Sequence, residues 1–189
     1  EDFCQATGTS PLLKYENEGG PGLMALFTLV QQSVAAEHDL RTLMAAQILF
    51  WMLRAPDGHA KNFSIQLQAG QAGRFRLTPL YDVMSAYPVI GNGPNQWAAK
   101  DVKLAMALMG KNRHYHVHAI QRRHFNSTAR KLGYGDTAEP LVQELVARTP
   151  GVVEQVQAEL PPGFAQEVAD KVLNGLLGAA RALEAMSAS

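Results

Sequence analysis

Asp57-Gly58-His59-Ala60-Lys61-Asn62-Phe63-Ser64, followed after a short interval by Leu80-Tyr81-Asp82-Val83, is the stretch that decides how this chain is read. Asp57 offers a carboxylate able to accept the proton of a hydroxyl. Asn62 and Asp82 offer hard oxygen atoms of the kind Mg²⁺ takes alongside phosphate and water. For all three to converge, Asp57 and Asn62 must share a loop and Asp82 must return from a neighbouring hairpin. Transfer of a phosphoryl group asks a protein mainly for positioning and charge neutralisation, and these residue types supply both. Taken singly, Asp57-Gly58 is a common turn dipeptide and Tyr81-Asp82 an ordinary cap. The combination at this spacing favours the chemical reading.

The surrounding pattern predicts how the loop is delivered. Gly19-Gly20-Pro21-Gly22 reads as a turn, with a helix from about Gly22 to Ala36 carrying Leu23, Leu26, Phe27 and Val30 at helical spacing. Asp39 is the expected N-cap of a second helix that carries Leu43, Ala46, Gln47 and Phe50 and runs to about Arg54. It is apolar almost all round, so it is expected to be the buried core helix. Pro56 ends helical structure just before Asp57. Phe63 to Gln68 and Phe75 to Thr78 alternate with period two around Ala69-Gly70-Gln71-Ala72-Gly73, which predicts a hairpin. Gly91-Asn92-Gly93-Pro94 begins a loop. Helices are expected at about Asp101–Met109, His116–Leu132, Ala138–Thr149 and Phe164–Ala185, with Pro161-Pro162-Gly163 separating the last two. The expected class is α-rich α+β with one small hairpin. Trp51, Trp97, Met106 and Met109 read as core.

With 189 residues, 47% of them hydrophobic, the chain is long enough for one domain that buries roughly 70% of its unfolded surface. The longest apolar run, Met44 to Leu53, is too short to span a membrane. The acidic start Glu1-Asp2-Phe3-Cys4 lacks an initiator Met and does not read as a signal peptide, so the chain is expected to begin inside a longer protein. The single cysteine, Cys4, allows no internal disulfide and fits a reducing cytoplasm; with no His or Asp paired to it, it reads as an ordinary, partly buried residue. Net charge is zero, yet Lys100 to Lys131 holds eight basic residues against Asp101 alone, while Gly133 to the end holds eight acids against three bases. Such asymmetry suits an anion-binding face. His114, His116 and His118 alternate, but without a fourth ligand they read as a solvated basic segment on an exposed loop rather than a zinc site.

An aspartate, an asparagine five residues on and a later aspartate is the order in which protein kinases place their proton acceptor and two metal ligands. Lys61, four residues after Asp57, is placed to touch phosphoryl oxygens or the nucleophile. His59 either contacts nucleotide phosphate or stiffens the loop by a hydrogen bond. The chain further resembles the HipA-like serine/threonine kinases, toxins of bacterial toxin–antitoxin pairs. The likeness lies in Glu1-Asp2-Phe3-Cys4-Gln5, Lys14-Tyr15-Glu16, Gly19-Gly20-Pro21-Gly22, Asp57 to Phe63, Arg76 to Asp82, Lys103-Leu104-Ala105-Met106 and Arg123-His124-Phe125.

That resemblance implies the helical C-terminal lobe of a protein-kinase-like fold over residues 1–189. Asp57 would be the proton acceptor, Asn62 and Asp82 would hold Mg²⁺, and His59, Ala60, Lys61, Asn62, Tyr81 and Asp82 would line the ATP site. It also implies a bacterial cytoplasmic protein, a helix-turn-helix (HipB-like) antitoxin that binds operator DNA, and a serine of an aminoacyl-tRNA synthetase as acceptor. Arg122, Arg123, Arg130 and Lys131, at helical spacing, would either touch DNA phosphates in such a complex or form a solvated helix face. The chain departs from eukaryotic kinases in having no glycine after Asp82. It also has no glycine-rich phosphate loop and no strand lysine paired with a helix glutamate. In the family those parts lie in an N-terminal lobe, expected to be missing from this chain, so ATP binding by these residues alone is expected to be poor. Two other readings are a catalytically inactive module that binds an antitoxin and a small-molecule phosphotransferase of the kinase-like superfamily.

Overall fold

The long apolar segment before Asp57 forms helix α3, Ala36–Leu53, which buries Leu43, Met44, Ala46, Ile48, Phe50, Trp51 and Met52. The computed structural model describes residues 1–70 and 73–189. Two helices precede α3: α1, Phe3–Ala6, capped by Asp2, and α2, Leu23–Val30. The helix α2 stops at Val30, well short of Ala36, because the following turn bonds elsewhere: the Val34 N–H donates to the Phe75 carbonyl at 3.0 Å and the Ser33 hydroxyl to the same oxygen at 3.2 Å. At its far end α3 closes on Arg54, whose φ of 50° turns the chain out of the helix.

Asp39 is not the cap of α3. The helix starts three residues earlier, with Ala35 as its N-cap. The Asp39 carboxylate lies inside the protein, only 3% exposed, where one oxygen accepts from the Leu77 N–H at 2.8 Å and from the Ser33 hydroxyl. A tertiary partner has claimed the side chain that the local pattern assigned to the helix.

The strands β1, Ile65–Leu67, and β2, Phe75–Leu77, form the expected antiparallel hairpin, with Ile65 opposite Leu77 and Leu67 opposite Phe75. Ile65, Phe75 and Leu77 face the core. Gly70 and Gly73 adopt left-handed backbone at φ 72° and 75°, as the connecting turn requires; Gln71 and Ala72, also assigned to that turn, lie outside the described residues. The N-terminus adds to this layer through an antiparallel bridge from Asp2 to Ser64.

The expected helix at Asp101–Met109 is instead a second hairpin. Strand β3, Lys103–Met109, pairs antiparallel with β4, Arg113–His116, across a turn at Gly110–Asn112. Leu104 to Leu108 are all buried, so β3 has no polar face. A short apolar run of this kind carries no periodicity to tell a buried strand from a buried helix. The histidine segment thus belongs partly to a half-buried strand rather than an exposed loop, and Trp97 stands 52% exposed rather than in the core.

Three helices complete the chain: α4, Arg122–Leu132; α5, Glu139–Glu159; and α6, Gln166–Ala185. The expected helix at His116 starts six residues later, behind a 3₁₀ turn at Val117–Ala119, while α5 runs ten residues beyond Thr149 through Pro150. Both α5 and α6 pack on each other and on α3. Tyr87 ties α6 to α3 by donating from one hydroxyl toward the carbonyls of Met52 (3.0 Å) and Gly175 (2.9 Å). The architecture is α-rich α+β, as expected, with two hairpins rather than one. No described helix is long and apolar enough to cross a membrane.

Because Asp39 is the buried acceptor that joins the hairpin to α3, Asp39→Ala leaves the Leu77 N–H and the Ser33 hydroxyl without their partner. The expected loss is about 2–4 kcal/mol of unfolding free energy, the usual scale for breaking a buried hydrogen-bonded network. Urea denaturation measures it, and a loss under about 1 kcal/mol would contradict the role given to Asp39.

Candidate active site

The loop that leaves α3 is shaped by a glycine. A Cβ at Gly58 would lie 2.2 Å from a ring carbon of Phe50, so only glycine lets the loop pass this close to the helix. Beyond it the backbone folds tightly: the His59 N–H donates to the Asp57 carbonyl at 2.8 Å, and the Asn62 N–H to the His59 carbonyl at 2.9 Å. Residues Ala60–Asn62 form a single 3₁₀ turn that buries Ala60 and Asn62. Phe63 then anchors the exit in the core, edge-on to Phe3 and tilted against Phe50.

The hairpin returns Asp82 to this turn. The Asn62 side-chain amide donates to the Asp82 carboxylate at 2.6 Å across 20 residues of sequence. Asn62 is 3% exposed, and its Oδ1 is buried with no hydrogen-bond partner among the described residues. A buried amide oxygen without a donor is costly unless something else occupies it. Asp82 has φ 54°, left-handed backbone that a residue with a Cβ rarely takes.

The Asp57 side chain is about one-third exposed. Its Oδ1 accepts from the Tyr15 hydroxyl at 2.7 Å and lies 3.6 Å from His59 Nε2, too far for a direct hydrogen bond. Burial pushes the His59 imidazole below its ordinary 6.5, outweighing the pull of the Asp57 and Asp82 charges. The pair is therefore a neutral ring beside a carboxylate, not an ion pair. His59 Nδ1 is buried without a partner among the described residues. No hydrogen bond joins the imidazole to another described residue, so the expected stiffening of the loop by a His59 side-chain hydrogen bond is not seen here.

Lys61 points elsewhere. Its Nζ donates to Asp2 Oδ2 at 2.7 Å, which ties the loop to the N-terminal segment rather than to Asp57. Burial pushes the Asp2 carboxyl up, but Lys61 and the Gln5 N–H outweigh it and leave the group below its ordinary range. Tyr81 lies over the same turn, its hydroxyl donating to the Lys61 carbonyl at 2.7 Å and standing 2.6 Å from Ser64 Oγ. Tyr15 and Asp2 were not singled out as site residues by sequence reasoning. Lys14-Tyr15-Glu16 stood out only as part of a resemblance, and Tyr15 meets its partner 42 residues away, where no local pattern reaches.

The four basic residues of α4 do not form one set. Arg122 is tied inward, paired with Glu139 and donating to the Leu183 carbonyl at 3.0 Å, which pins α4 to α5 and α6. It is not available as a phosphate contact. Arg123, Arg130 and Lys131 are exposed. Arg123 and Arg130 line an open cleft of about 870 Å³ with Lys111, His114 and His124, and no residue of the Asp57 loop borders it. His114 stacks on His124 at 3.9 Å, while His116 meets His118 edge-on. Among the described residues no group of three or more His, Cys, Asp or Glu side chains is placed to hold a metal ion. The Asn62–Asp82 pair is a smaller donor set, of the size Mg²⁺ uses when phosphate and water fill its remaining positions.

A family model described as the HipA-like C-terminal domain matches residues 1–154. A Sinorhizobium fredii protein, Y4mE, whose given name describes it provisionally as a kinase, is 39% identical over 108 residues, 56% of this chain and 25% of that protein. The Shewanella oneidensis MR-1 toxin–antitoxin complex of HipA, HipB and operator DNA holds a chain that superposes with a TM-score of 0.75 at 22% identity. That match covers 95% of this chain and 42% of the Shewanella chain. This likeness shows the fold. The chain thus spans a quarter and under half of the lengths of these two relatives.

Two buried histidines make the domain sensitive to mild acid. Burial lowers the folded pKa of both His59 and His124; for His124 the nearby His114 and Arg123 add to the effect. For a base held below its unfolded pKa, the stabilisation is complete above about pH 6.5 and is lost as the pH falls toward the folded value. Unfolding free energy is therefore expected to drop between pH 7 and pH 5, and a His59→Gln, His124→Gln double variant to drop less. Equal losses for the two proteins in denaturant titrations would contradict this.

Proposed function

The chain belongs to the family of HipA-like C-terminal domains, and from that premise we propose that it is the catalytic lobe of an ATP- and Mg²⁺-dependent kinase acting on serine or threonine. The observation that carries the reading is the Asn62–Asp82 pair beside the Asp57 loop. The Asn62 amide N–H donates to Asp82 at 2.6 Å across a hairpin, and one buried oxygen, Asn62 Oδ1, has no partner among the described residues. A hard cation fits that donor set, and Asn62 and Asp82 are the residues that would hold it. When bound, Mg²⁺ supplies neutralisation of the phosphate charge.

In this reading Asp57 orients the acceptor hydroxyl and takes its proton. The hydroxyl oxygen forms the new bond to the γ-phosphorus, the bond from phosphorus to the β,γ-bridging oxygen breaks, and the electron pair leaves with ADP. His59, Ala60, Lys61, Asn62, Tyr81 and Asp82 form the floor of the nucleotide site, with Ala60 contributing backbone alone and Lys61 held back by Asp2. The 189 residues contain no glycine-rich phosphate loop. The remainder of a longer protein would supply that cradle, in keeping with the greater lengths of the relatives. The acceptor class that the resemblance implies is a serine of a protein such as an aminoacyl-tRNA synthetase, in the bacterial cytoplasm.

The test uses the full-length protein. Asp57→Asn keeps the side-chain volume and removes the proton acceptor, so phosphoryl transfer from γ-labelled ATP should fall by ~10²–10⁴-fold with the thermal midpoint unchanged. Near-normal turnover would remove Asp57 from this role.

We further propose that Arg123, Arg130 and Lys131 lie against DNA phosphates when a helix-turn-helix antitoxin holds the protein at its operator. The reading is supported by the basic surplus of Lys100 to Lys131 and by the cleft that Arg123 and Arg130 border. It is also in keeping with the operator DNA named in the Shewanella complex. Such contacts position a complex without reading sequence. The full-length protein with its antitoxin should bind operator DNA more tightly than the antitoxin alone, with each contacted phosphate adding a slope of roughly −0.9 in log K against log salt. Changing Arg130 and Lys131 to Ala should reduce both the increment and its slope in mobility-shift titrations at two salt concentrations. Unchanged values would return these residues to a solvated helix face.

A further inference from the structure

Tyr15 stands 42 residues before Asp57 in sequence, yet its hydroxyl reaches Asp57 Oδ1 at 2.7 Å. The segment that carries it is clamped on several sides. The Tyr15 carbonyl accepts from the N–H groups of Glu18 (3.1 Å) and Gly20 (2.9 Å). Glu16, the next residue, accepts from the Ala107 N–H of β3 at 2.7 Å and pairs with Arg113 of β4 at 3.2 Å. The Tyr15 ring meets His59 edge-on, with centroids 5.1 Å apart, and Lys14 Nζ lies 5.0 Å from the ring centre. The phenol is therefore mounted on a fixed frame and aimed at a carboxylate that is itself one-third open to solvent.

The asymmetry at that carboxylate is informative. Oδ1 takes the Tyr15 donor and is also the oxygen nearest His59 Nε2. Oδ2 accepts no hydrogen bond from any described residue. An unrestrained aspartate rotates broadly about its last torsion, so either oxygen would face an incoming group. One strong donor on one oxygen removes that choice. We infer that Tyr15 is a positioning residue: it fixes Oδ1 so that Oδ2 alone meets the hydroxyl of the phosphoryl acceptor. This inference rests on the reading of Asp57 as proton acceptor.

Tyr15 is suited to hold the donor role at every working pH. The hydrogen bond to Asp57, with burial and the charges of Asp57 and Glu18, pushes its phenol up to about 12. The titratable and charged groups around the pair are His59, Lys14, Glu18 and Asp82. His59, the one among them with an ordinary pKa near neutrality, is held neutral by burial.

The experiment takes the full-length protein, with incorporation of label from γ-labelled ATP into the protein itself and into added casein as the activity probe. Tyr15→Phe removes one oxygen and keeps the ring against His59. It should lower the transfer rate at saturating ATP by about 10–100-fold, leaving KM for ATP within about twofold and the thermal midpoint unchanged. In an Asp57→Asn background the same substitution should have no further effect on rate, since a residue acting through Asp57 falls silent once Asp57 is lost. A second readout needs neither activity nor Tyr15→Phe. In ring-labelled protein the Tyr15 phenol, at about 12 in the wild type, should titrate closer to its ordinary 10 in Asp57→Asn. Wild-type rates for Tyr15→Phe beside an inactive Asp57→Asn would overturn the inference and leave the kinase reading standing. So would a Tyr15 titration indifferent to Asp57→Asn. Full transfer by Asp57→Asn would instead remove the kinase reading and the inference together, a pattern distinct from the other two.

Discussion

The carboxylate of Asp39, buried in the first turn of α3, accepts the Leu77 N–H and so holds the returning strand of the hairpin against the start of that helix. The geometry of the candidate site follows from this attachment. At one end α3 receives β2; at the other it releases the Asp57 loop through the left-handed Arg54. Asp39 and Arg54 lie 15 residues apart, roughly 22 Å at the α-helical rise. The chain then passes through the short hairpin, and the segment after β2 brings Asp82 to Asn62. Further polar ties hold the far end of α3, from Trp51 Nε1 to the Val117 carbonyl and from the Tyr87 hydroxyl to the Met52 carbonyl, so the helix is fixed at both ends. Buried carboxylates are rare without satisfied partners, and this one has both a backbone and a hydroxyl donor.

Much of this was legible in the chain because it is local. The apolar length before Pro56, the alternation on either side of Gly70 and Gly73, and the offset between Asp57 and Asn62 are each statements about neighbours in sequence, and the structure keeps all of them. The misread features share a different cause. Strand β3 is apolar on both faces, so its composition fits a buried helix equally well, and pairing with Arg113–His116 decided between them. Asp39 sits where a cap would sit, but a strand from later in the chain took its carboxylate. Arg122 has the helical spacing of a surface residue and is instead the half-buried link to Glu139. Trp97 is exposed because its backbone is held in a loop, its N–H on the Val89 carbonyl at 2.9 Å, with no core beneath it.

The candidate site shows the same division. Asp57, Asn62 and Asp82 announce themselves by type and spacing, whereas the groups that bond to the loop come from elsewhere. Tyr15 and Asp2 belong to the N-terminal segment, which reaches the loop through the Lys61 ion pair and the bridge to Ser64. The first 20 residues are thus part of the loop's support even though no residue type among them advertises a role. Rigid placement of a few groups is what phosphoryl transfer demands, and such placement is built by long-range contacts.

The left-handed backbone at Asp82 narrows the choice of amino acid at that position in a way its charge alone does not. Aspartate, asparagine and glycine tolerate such a conformation, the first two because a short polar side chain can bond locally. Glutamate carries the same charge, but a longer side chain takes this backbone at a cost of about 1–2 kcal/mol. An exchange of Asp for Glu, ordinarily mild for a divalent cation, is here a backbone substitution as much as a side-chain one. The turn of the main chain thus favours aspartate over glutamate at this position independently of charge.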